Sequence, residues 1–434
     1  MNWYSPKPND IIKKSCSKTK KYRRGVRVDV KNDYGISIIS NQHYKSEELP
    51  EFLNQEHTMP VLKFHQSLKG YEPTPLVRLD GLAELLHLKA VFVKDESRRF
   101  GLKAFKGLGG VYALTKVVCK ELGLDIEKIT FQELCSDTYS EQIKRMVFVT
   151  ATDGNHGKGV SWAAGLLGCK AYVYMPKGSA KIRAEAIQNA GRAEVTITDK
   201  GYDDTVRYAS EMAEEKGWYL VQDTSWDGYT QIPTWIIQGY TTMASEAAQQ
   251  LEAEGFPAPT HVFVQAGVGA MAGGVTGYLA NRYHGQMPVF ATAEPEDMAC
   301  IFASIKSPDG AGHAVTGECH TIMAGLNCGE PCTVSWPVLR NHVRWSFSCP
   351  DETAALGMRI LAAPIGDDLP VISGESGAVT TGLLALLASC PQLEEIRSAM
   401  GLNEDSVVLL FNTEGDTDPE NYQRIVYGGA HALL

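Results

Sequence analysis

Three stretches of the 434-residue chain place reactive side chains beside glycines, at points where a strand-like run gives way to a helix-like one. The first is Gln265-Ala-Gly-Val-Gly-Ala-Met-Ala-Gly-Gly274, after an apolar run at 261–264. Clustered glycines let the backbone approach an anion, and the free N–H groups of a starting helix point at it. The spacing GxGxxxG is not the dinucleotide fingerprint. A monophosphate on a cofactor or substrate suits it better, although Glu294, after the next strand, falls roughly where a ribose-binding acid would. Tight packing alone would also use these glycines. The second stretch, Thr-Ala-Thr-Asp-Gly-Asn-His-Gly at 150–157, crowds Asp153, Asn155 and His156 into one turn. Those groups could face a substrate, or they could build an Asx turn and a helix N-cap, which Asp and Asn do equally well. The third stretch, 94–110, sets Lys106 between Phe105 and a glycine-rich turn at the start of an apolar helix. A partly desolvated lysine near a helix N-terminus has a lowered pKa and suits Schiff-base chemistry. Taken alone, a lysine lying along the surface is the commoner case, and Lys103 fits that role better.

These loops need elements to hold them. Strand patterns occur at 90–93, 146–151, 171–175, 194–198, 219–222, 261–265, 289–293 and 407–411. Helical patterns lie between them at 105–122, 156–167, 181–190, 203–216, 235–251, 270–283 and 376–388. Strand–turn–helix repeated this often predicts an α/β fold of parallel sheets with crossover helices. Ligands then sit at the carboxyl ends of strands, where all three loops fall. The polar stretch 125–145 reads as an irregular insertion, and 306–317 as an exposed loop rich in Gly, Pro and Ser.

The length suits two domains. A hydrophobic fraction of 44% and a charged fraction of 21% are globular values and exclude a disordered or fibrous chain. The 41 glycines among 434 residues exceed the ~7% norm. The net charge of −10 makes nucleic acid and anionic membrane poor partners, and no stretch approaches the ~20 apolar residues of a membrane span. Residues 1–33 are basic, with Lys7, Lys13, Lys14, Lys18, Lys20, Lys21, Arg23, Arg24 and Arg27. They lack the apolar core of a secretory signal and read as a solvated extension or as a targeting or partner-binding arm. The ten cysteines include no CxxC pair, which argues against a zinc ribbon or a thioredoxin-like motif. Most are expected to be reduced, in a cytoplasmic protein without a metal site. Those from Cys300 to Cys332 are denser, and a redox-sensitive pair such as Cys300 with Cys328 is left open.

Taken in order, "SRRFGLKAFKGLGG", "TDGNHG", "QAGVGAMAGG", "SGESGAV" and "NTEGDT", with Thr74-Pro-Leu76 near the start, resemble the tryptophan-synthase-β-like (fold type II) pyridoxal-phosphate enzymes. "VKDESRRFGLKAFKGLGG", "TDGNHGKGVSWAA", "YMPKGSA", "GYDDTVRYA", "VQDTSWDGYTQIPTWIIQGY", "TIMAGLNCGEP" and "AALGMRIL" resemble, within that class, the diaminopropionate ammonia-lyases. The resemblance runs from about Tyr34 to the C-terminus. It implies two domains, each a twisted, mostly parallel sheet flanked by helices: a large cofactor-binding domain of 34–112 and 236–434, and a small mobile one of 113–235 that closes over substrate.

The resemblance also implies roles. Lys106 would hold pyridoxal 5'-phosphate covalently beside Phe105, and Gly267, Val268, Gly269, Ala270 and Met271 would bind its phosphate. Asn155 would meet the ring 3-oxygen, Thr413 the pyridine nitrogen, and Glu375 the ring edge. A hydroxyl partner leaves that nitrogen unprotonated, a weaker electron sink that favours elimination. Asp153 stands where related hydroxyamino-acid dehydratases carry serine, and Asp223 follows the 219–222 strand near Trp226. Two carboxylates suit a substrate with an additional β-ammonium. They would act as general bases, Asp223 for the L and Asp153 for the D substrate, with pKa values raised by burial, for Asp223 beside Trp226 and the cofactor. The implied reaction is α,β-elimination of D- and L-2,3-diaminopropionate to pyruvate and two ammonia by a homodimer. A serine or threonine dehydratase and a non-catalytic cofactor-binding protein are the alternatives.

Overall fold

The computed structural model describes residues 28–317 and 320–433. Most of the basic arm therefore lies outside the described residues, as do Cys16 and Cys319. Residues 29–31, assigned from sequence to the extension, are the edge strand of a sheet.

The described residues form twelve strands: β1 Asp29–Lys31, β2 Ser37–Ser40, β3 Leu76–Arg78, β4 Ala90–Asp95, β5 Val147–Ala151, β6 Lys170–Met175, β7 Ala193–Ile197, β8 Tyr219–Leu220, β9 His261–Gln265, β10 Val289–Pro295, β11 Val343–Cys349 and β12 Val407–Asn412. Eight form a large sheet in the order β1-β2-β11-β10-β9-β12-β4-β3, and four form a small one, β7-β6-β5-β8. The small sheet is wholly parallel. In the large sheet the run β11-β10-β9-β12-β4 is parallel, with antiparallel strands at both margins. This is the expected α/β class.

The eight anticipated strands all form. The four not anticipated are β1, β2 and β3, of three or four residues each, and β11, whose Trp345 and Phe347 alternate with serines and Arg344. The 125–145 stretch, expected to be irregular, carries two short helices, Phe131–Leu134 and Asp137–Ile143, the first closed by a capping box between Thr130 and Glu133.

Alternation along the central strands gives the large sheet two cores. Phe92, Leu409 and Phe411 point to one, and Val91, Val93, Val408 and Leu410 to the other. The first core continues through the helix Gly107–Glu121 to Phe148 and the helix Asn155–Leu167, so one apolar body joins the two sheets. The expected domain boundaries at 112/113 and 235/236 fall inside continuous helices, Gly107–Glu121 and Gln231–Ala253. The chain therefore crosses between the sheets on intact helices.

Two features hold the segment leading into Lys106. A buried, charge-balanced cluster ties the end of β4 to the helix Gln231–Ala253. Lys94 and Arg99 each reach Glu246 at 2.7 Å, and Arg99 reaches Glu96 at 2.8 Å. Lys94 also donates to the Thr74 carbonyl at 2.6 Å, which fixes the Thr-Pro-Leu entry. Burial opposes ionisation of Glu246, but Arg99 and Lys94 hold its pKa down at about 2. The second feature is backbone contact at glycine. A Cβ on Gly159 would lie 2.9 Å from the Lys106 carbonyl, and one on Gly239 would lie 2.7 Å from the Gly109 Cα.

Gly159→Ala is therefore expected to lower stability by ~1–3 kcal/mol. The ~1 kcal/mol helix-propensity gain of alanine is opposed by a backbone clash. Gly201→Ala, whose Cβ would meet nothing within 4 Å, is expected to cost under ~1 kcal/mol. Denaturant midpoints of the two variants check the difference.

Candidate active site

Lys106 is the cap residue of the helix Gly107–Glu121. It is placed by a short antiparallel pairing between the chain before it and the chain after β12: Phe105 N–H donates to the Thr413 carbonyl at 3.2 Å and Gly415 N–H to the Lys103 carbonyl at 3.0 Å. Lys103 is exposed and paired with Asp416 at 2.8 Å, the surface role expected of it. Lys106 instead faces a cleft whose walls include Phe105, Asn155, Asp223, Gly267, Val268, Gly269, Ala270, Met271 and Thr413. One cleft thus gathers ten of the residues singled out from sequence.

The Lys106 ammonium is paired with the Asp223 carboxylate. Burial lowers the lysine's pKa, but Asp223 outweighs it and the net shift is upward, opposite to the lowering expected from desolvation alone. Asp223 is corrected in the same way. Burial raises its pKa, yet His156 and Lys106 hold it below the ordinary carboxylate value. Trp226 stacks on Tyr229 instead, with centroids 4.6 Å apart.

The 150–157 loop resolves the choice between capping and function. Thr152 does the capping, its hydroxyl accepting from Gly154 N–H at 2.9 Å and Gly157 N–H at 3.1 Å. Asp153 and Asn155 are released from that duty. Asn155 Nδ2 donates to Glu414 at 2.6 Å. Asp153 is not part of that cleft's wall; it lines a neighbouring cavity that shares Asn155, Gly325 and Glu414 with the cleft, and a separate cavity of 910 Å³. Burial pushes the Asp153 carboxyl up to about 7, against the pull of Arg183 and Lys106. His156 Nε2 donates to the Val221 carbonyl at 2.7 Å, which ties this loop to the one carrying Asp223. Its Nδ1 is buried without a hydrogen-bond partner, 3.8 Å from Asp223.

The glycine loop after β9 turns through Gly269, at φ +89°, into the helix Ala270–Arg282. Among the described residues, the N–H groups of Gly267, Val268 and Gly269 have no backbone acceptor. Those of Ala270 and Met271 belong to the first helical turn, which has none within the helix. Five N–H groups are thus available to an anion. Glu294 is not a ribose acid. It is fully buried and accepts from Ile301 and Phe302 N–H at 2.8 and 2.7 Å.

Glu375 is placed apart from the other expected residues. It begins the helix Glu375–Ser389 but is not part of the cleft wall. Its carboxylate accepts from Asn421, and burial together with Glu414 pushes its pKa up to about 7. Its neighbour Ser376 lines the cleft, as does Glu414. Glu414 follows Thr413 in the "NTEGDT" string and was missed as a site residue, as were Gln265 and Cys328. Each stands in a motif already singled out, and their position beside the expected residues was the available signal. Cys300 and Cys328 are free, buried thiols.

Fold and site together define a pyridoxal-phosphate-dependent enzyme. The family model described as pyridoxal-phosphate dependent enzyme matches residues 68–410, and the chain belongs to that family. Diaminopropionate ammonia-lyase of Escherichia coli (strain K12) is 49% identical over 398 residues, covering 92% of this chain and 98% of that protein. The diaminopropionate ammonia-lyase of Salmonella typhimurium is 51% identical over 373 residues, covering 86% and 92%. A crystal structure of the Escherichia coli enzyme in complex with an aminoacrylate-PLP azomethine reaction intermediate matches with a TM-score of 0.85 and 48% identity, over 92% of this chain and 98% of that one.

The residues present fit the cofactor. Five unpaired N–H groups suit its phosphate, an amine at the helix start suits its aldehyde, and a hydroxyl, Thr413, faces the same cleft. A Cβ on Gly269 would lie 2.7 Å from Leu339 Cδ1 at a φ that side chains rarely adopt. Gly269→Ala should therefore cost ~1–3 kcal/mol in the loop and weaken retention of pyridoxal phosphate about tenfold or more. Absorbance during dialysis measures it.

Proposed function

We propose that this enzyme eliminates ammonia from both enantiomers of 2,3-diaminopropionate, giving pyruvate and two ammonia. The observation that carries the reading is the pair of carboxylates, Asp223 and Asp153, which approach one lysine from two loops of the small sheet and both act on its charge. A hydroxyamino-acid dehydratase has no need of a carboxylate at 153, and the similarity to the two ammonia-lyases supports the same reading.

Pyridoxal phosphate, when bound, supplies the electron sink that stabilises negative charge at the substrate Cα. The chain does the rest. The unpaired N–H groups of 267–271 would hold the phosphate, Asn155, steadied by Glu414, would meet the ring oxygen, and Thr413 would meet the ring nitrogen. Asp223 takes the Cα proton of the L isomer from the Lys106 side of the cleft. It can pass that proton toward His156 Nδ1, whose lone pair is otherwise unused. Asp153 takes the proton of the D isomer from the opposite side, where it lines the cavity that shares Asn155, Gly325 and Glu414 with the cleft. Lys106 would hold the cofactor's aldehyde through its amine between turnovers. The released 2-aminoacrylate hydrolyses to pyruvate and the second ammonia.

Closure of the small sheet over the cleft, a homodimer and a cytoplasmic location belong to the same proposal. The eight free thiols among the described cysteines support a reducing compartment. Among the described residues, no single helix is long and apolar enough to cross a membrane.

Asp223→Asn is expected to cut L-isomer turnover on the order of 10²–10⁴-fold and to spare most of the D-isomer rate, with Asp153→Asn doing the reverse. Pyruvate release assayed on each pure enantiomer decides the point, and equal losses would break the two-base assignment. The pH profiles should also separate. A general base works in its ionised form, so D-isomer turnover falls as pH drops through about 7, the value at Asp153. L-isomer turnover, resting on a carboxylate with a lowered pKa, persists to lower pH.

A further inference from the structure

We propose that Gln265 is a positioning residue: it fixes the direction of the Thr413 hydroxyl proton, and with it the protonation state of the pyridine nitrogen that the site accepts. The proposal rests on the reading that Thr413 meets that nitrogen.

Gln265 is the last residue of β9, in the middle of the large sheet, and is 1% exposed. Its side chain reaches across to the end of β12. Its Nε2 lies 2.9 Å from the Phe411 carbonyl and 2.9 Å from Thr413 Oγ1. A carbonyl oxygen only accepts, so the amide atom facing Phe411 must be the NH₂ group. The second proton of that NH₂ then points at Thr413, whose oxygen accepts it. Among the described residues nothing accepts the hydroxyl's own proton. Thr413 is buried and lines the cofactor cleft together with Gln265. Its proton is therefore offered into the cleft, and a ring nitrogen opposite it must present a lone pair. A pyridinium N–H would meet a proton instead, and the hydroxyl has no second acceptor to turn to.

The other half of the amide sharpens the point. Gln265 Oε1 is buried with no hydrogen-bond partner. A methionine of similar size would fill the space without burying an unsatisfied oxygen, so packing does not explain glutamine here. Its two N–H groups do. An unprotonated ring is the weaker electron sink, which suits prompt expulsion of a β-substituent over long-lived charge on the ring.

The test uses holoenzyme carrying pyridoxal phosphate labelled with ¹⁵N in the ring. In the parent, the nitrogen resonance should stay at the unprotonated value across the neutral range. Gln265→Glu removes one donor. The protonated carboxyl then sets a hydroxyl where Nε2 stood; its one proton goes to Phe411, and its oxygen accepts from Thr413, which reverses the Thr413 hydroxyl. The ring nitrogen should then protonate, its titration midpoint rising by about one unit or more, a tenfold change in the proton equilibrium. Gln265→Met, which frees the hydroxyl without supplying an acceptor, should give an intermediate midpoint, and it decides the question if the glutamate variant fails to take up cofactor. Thr413→Val separates the two layers of the argument. If it moves the resonance while both Gln265 variants match the parent, Gln265 has no such role and the Thr413 reading stands. If Thr413→Val also leaves the resonance unmoved, both fail.

Discussion

The position of Lys106 depends on a contact in which no side chain takes part. Its carbonyl lies 2.9 Å from where a Cβ on Gly159 would be, and three residues further along, Gly109 lies against Gly239 in the same way. Helices usually keep 8–10 Å between axes because side chains interdigitate. Here glycines let backbone meet backbone, which leaves the crossing little freedom to slide. The consequence reaches the chemistry. Gly159 belongs to the helix that starts at Asn155 and is preceded by Asp153, so the amine that bonds the cofactor and the loop that faces it across the cleft are held by one crossing, although they arise from different sheets. Any closure of the small sheet must carry Lys106's peptide along or pivot about it. The neutral cluster of Lys94, Glu96, Arg99 and Glu246 completes the support from the other side, and the cost of burying four charges is met only because each has an opposite partner.

Within that frame the two carboxylates are made different by their neighbours. Asp223 sits at the end of a strand whose last turn is locked, with Gln222 N–H donating to Tyr229 and Tyr229 donating to the Leu220 carbonyl, each at 2.9 Å. The locked turn delivers it to Lys106 and His156, which keep it ionised. Asp153 gains less from its cations than burial takes away, and it titrates near neutrality. Two acids of one kind thereby acquire different working ranges, by the same logic that separates acid and base roles in carboxylate-dependent enzymes.

The parallel core of the fold was legible because its signal is repeated. Eight apolar runs of strand length, each followed by a helical pattern, admit few arrangements besides crossover-connected sheets. What escaped was short or polar on one face. β1 to β3 run only three or four residues and gain their stability from neighbours far along the chain, and the serines of β11 look like loop in isolation. The site was legible for a similar reason, since its loops follow strands and carry unusual composition. "SGESGAV" marks a helix start without saying which side chain of its first turn lines the cleft; Ser376 does. The pKa directions at Lys106 and Asp223 were misread because each was judged against burial alone. Their mutual pairing, between residues 117 positions apart, is a property of the folded chain.

Four polar side chains in and beside the cleft have one arrangement in common. Each faces a group that can act in only one direction, and that partner settles where its remaining capacity points. Thr152 accepts both capping N–H groups, so Asp153 and Asn155 need not. Asn155 meets a carboxylate, Glu414, which orients its NH₂ and leaves its oxygen on the other side. His156 meets a backbone carbonyl, which places its proton on Nε2 and turns a bare Nδ1 toward Asp223. Gln265 meets another carbonyl and passes a fixed polarity to Thr413. Backbone carbonyls and ionised carboxylates cannot reverse a hydrogen bond, whereas hydroxyls, amides and imidazoles can. Anchoring the reversible groups to irreversible ones sets proton positions before any ligand arrives. That preorganisation is what a site must have if it is to choose between two proton-abstracting groups on either side of one carbon.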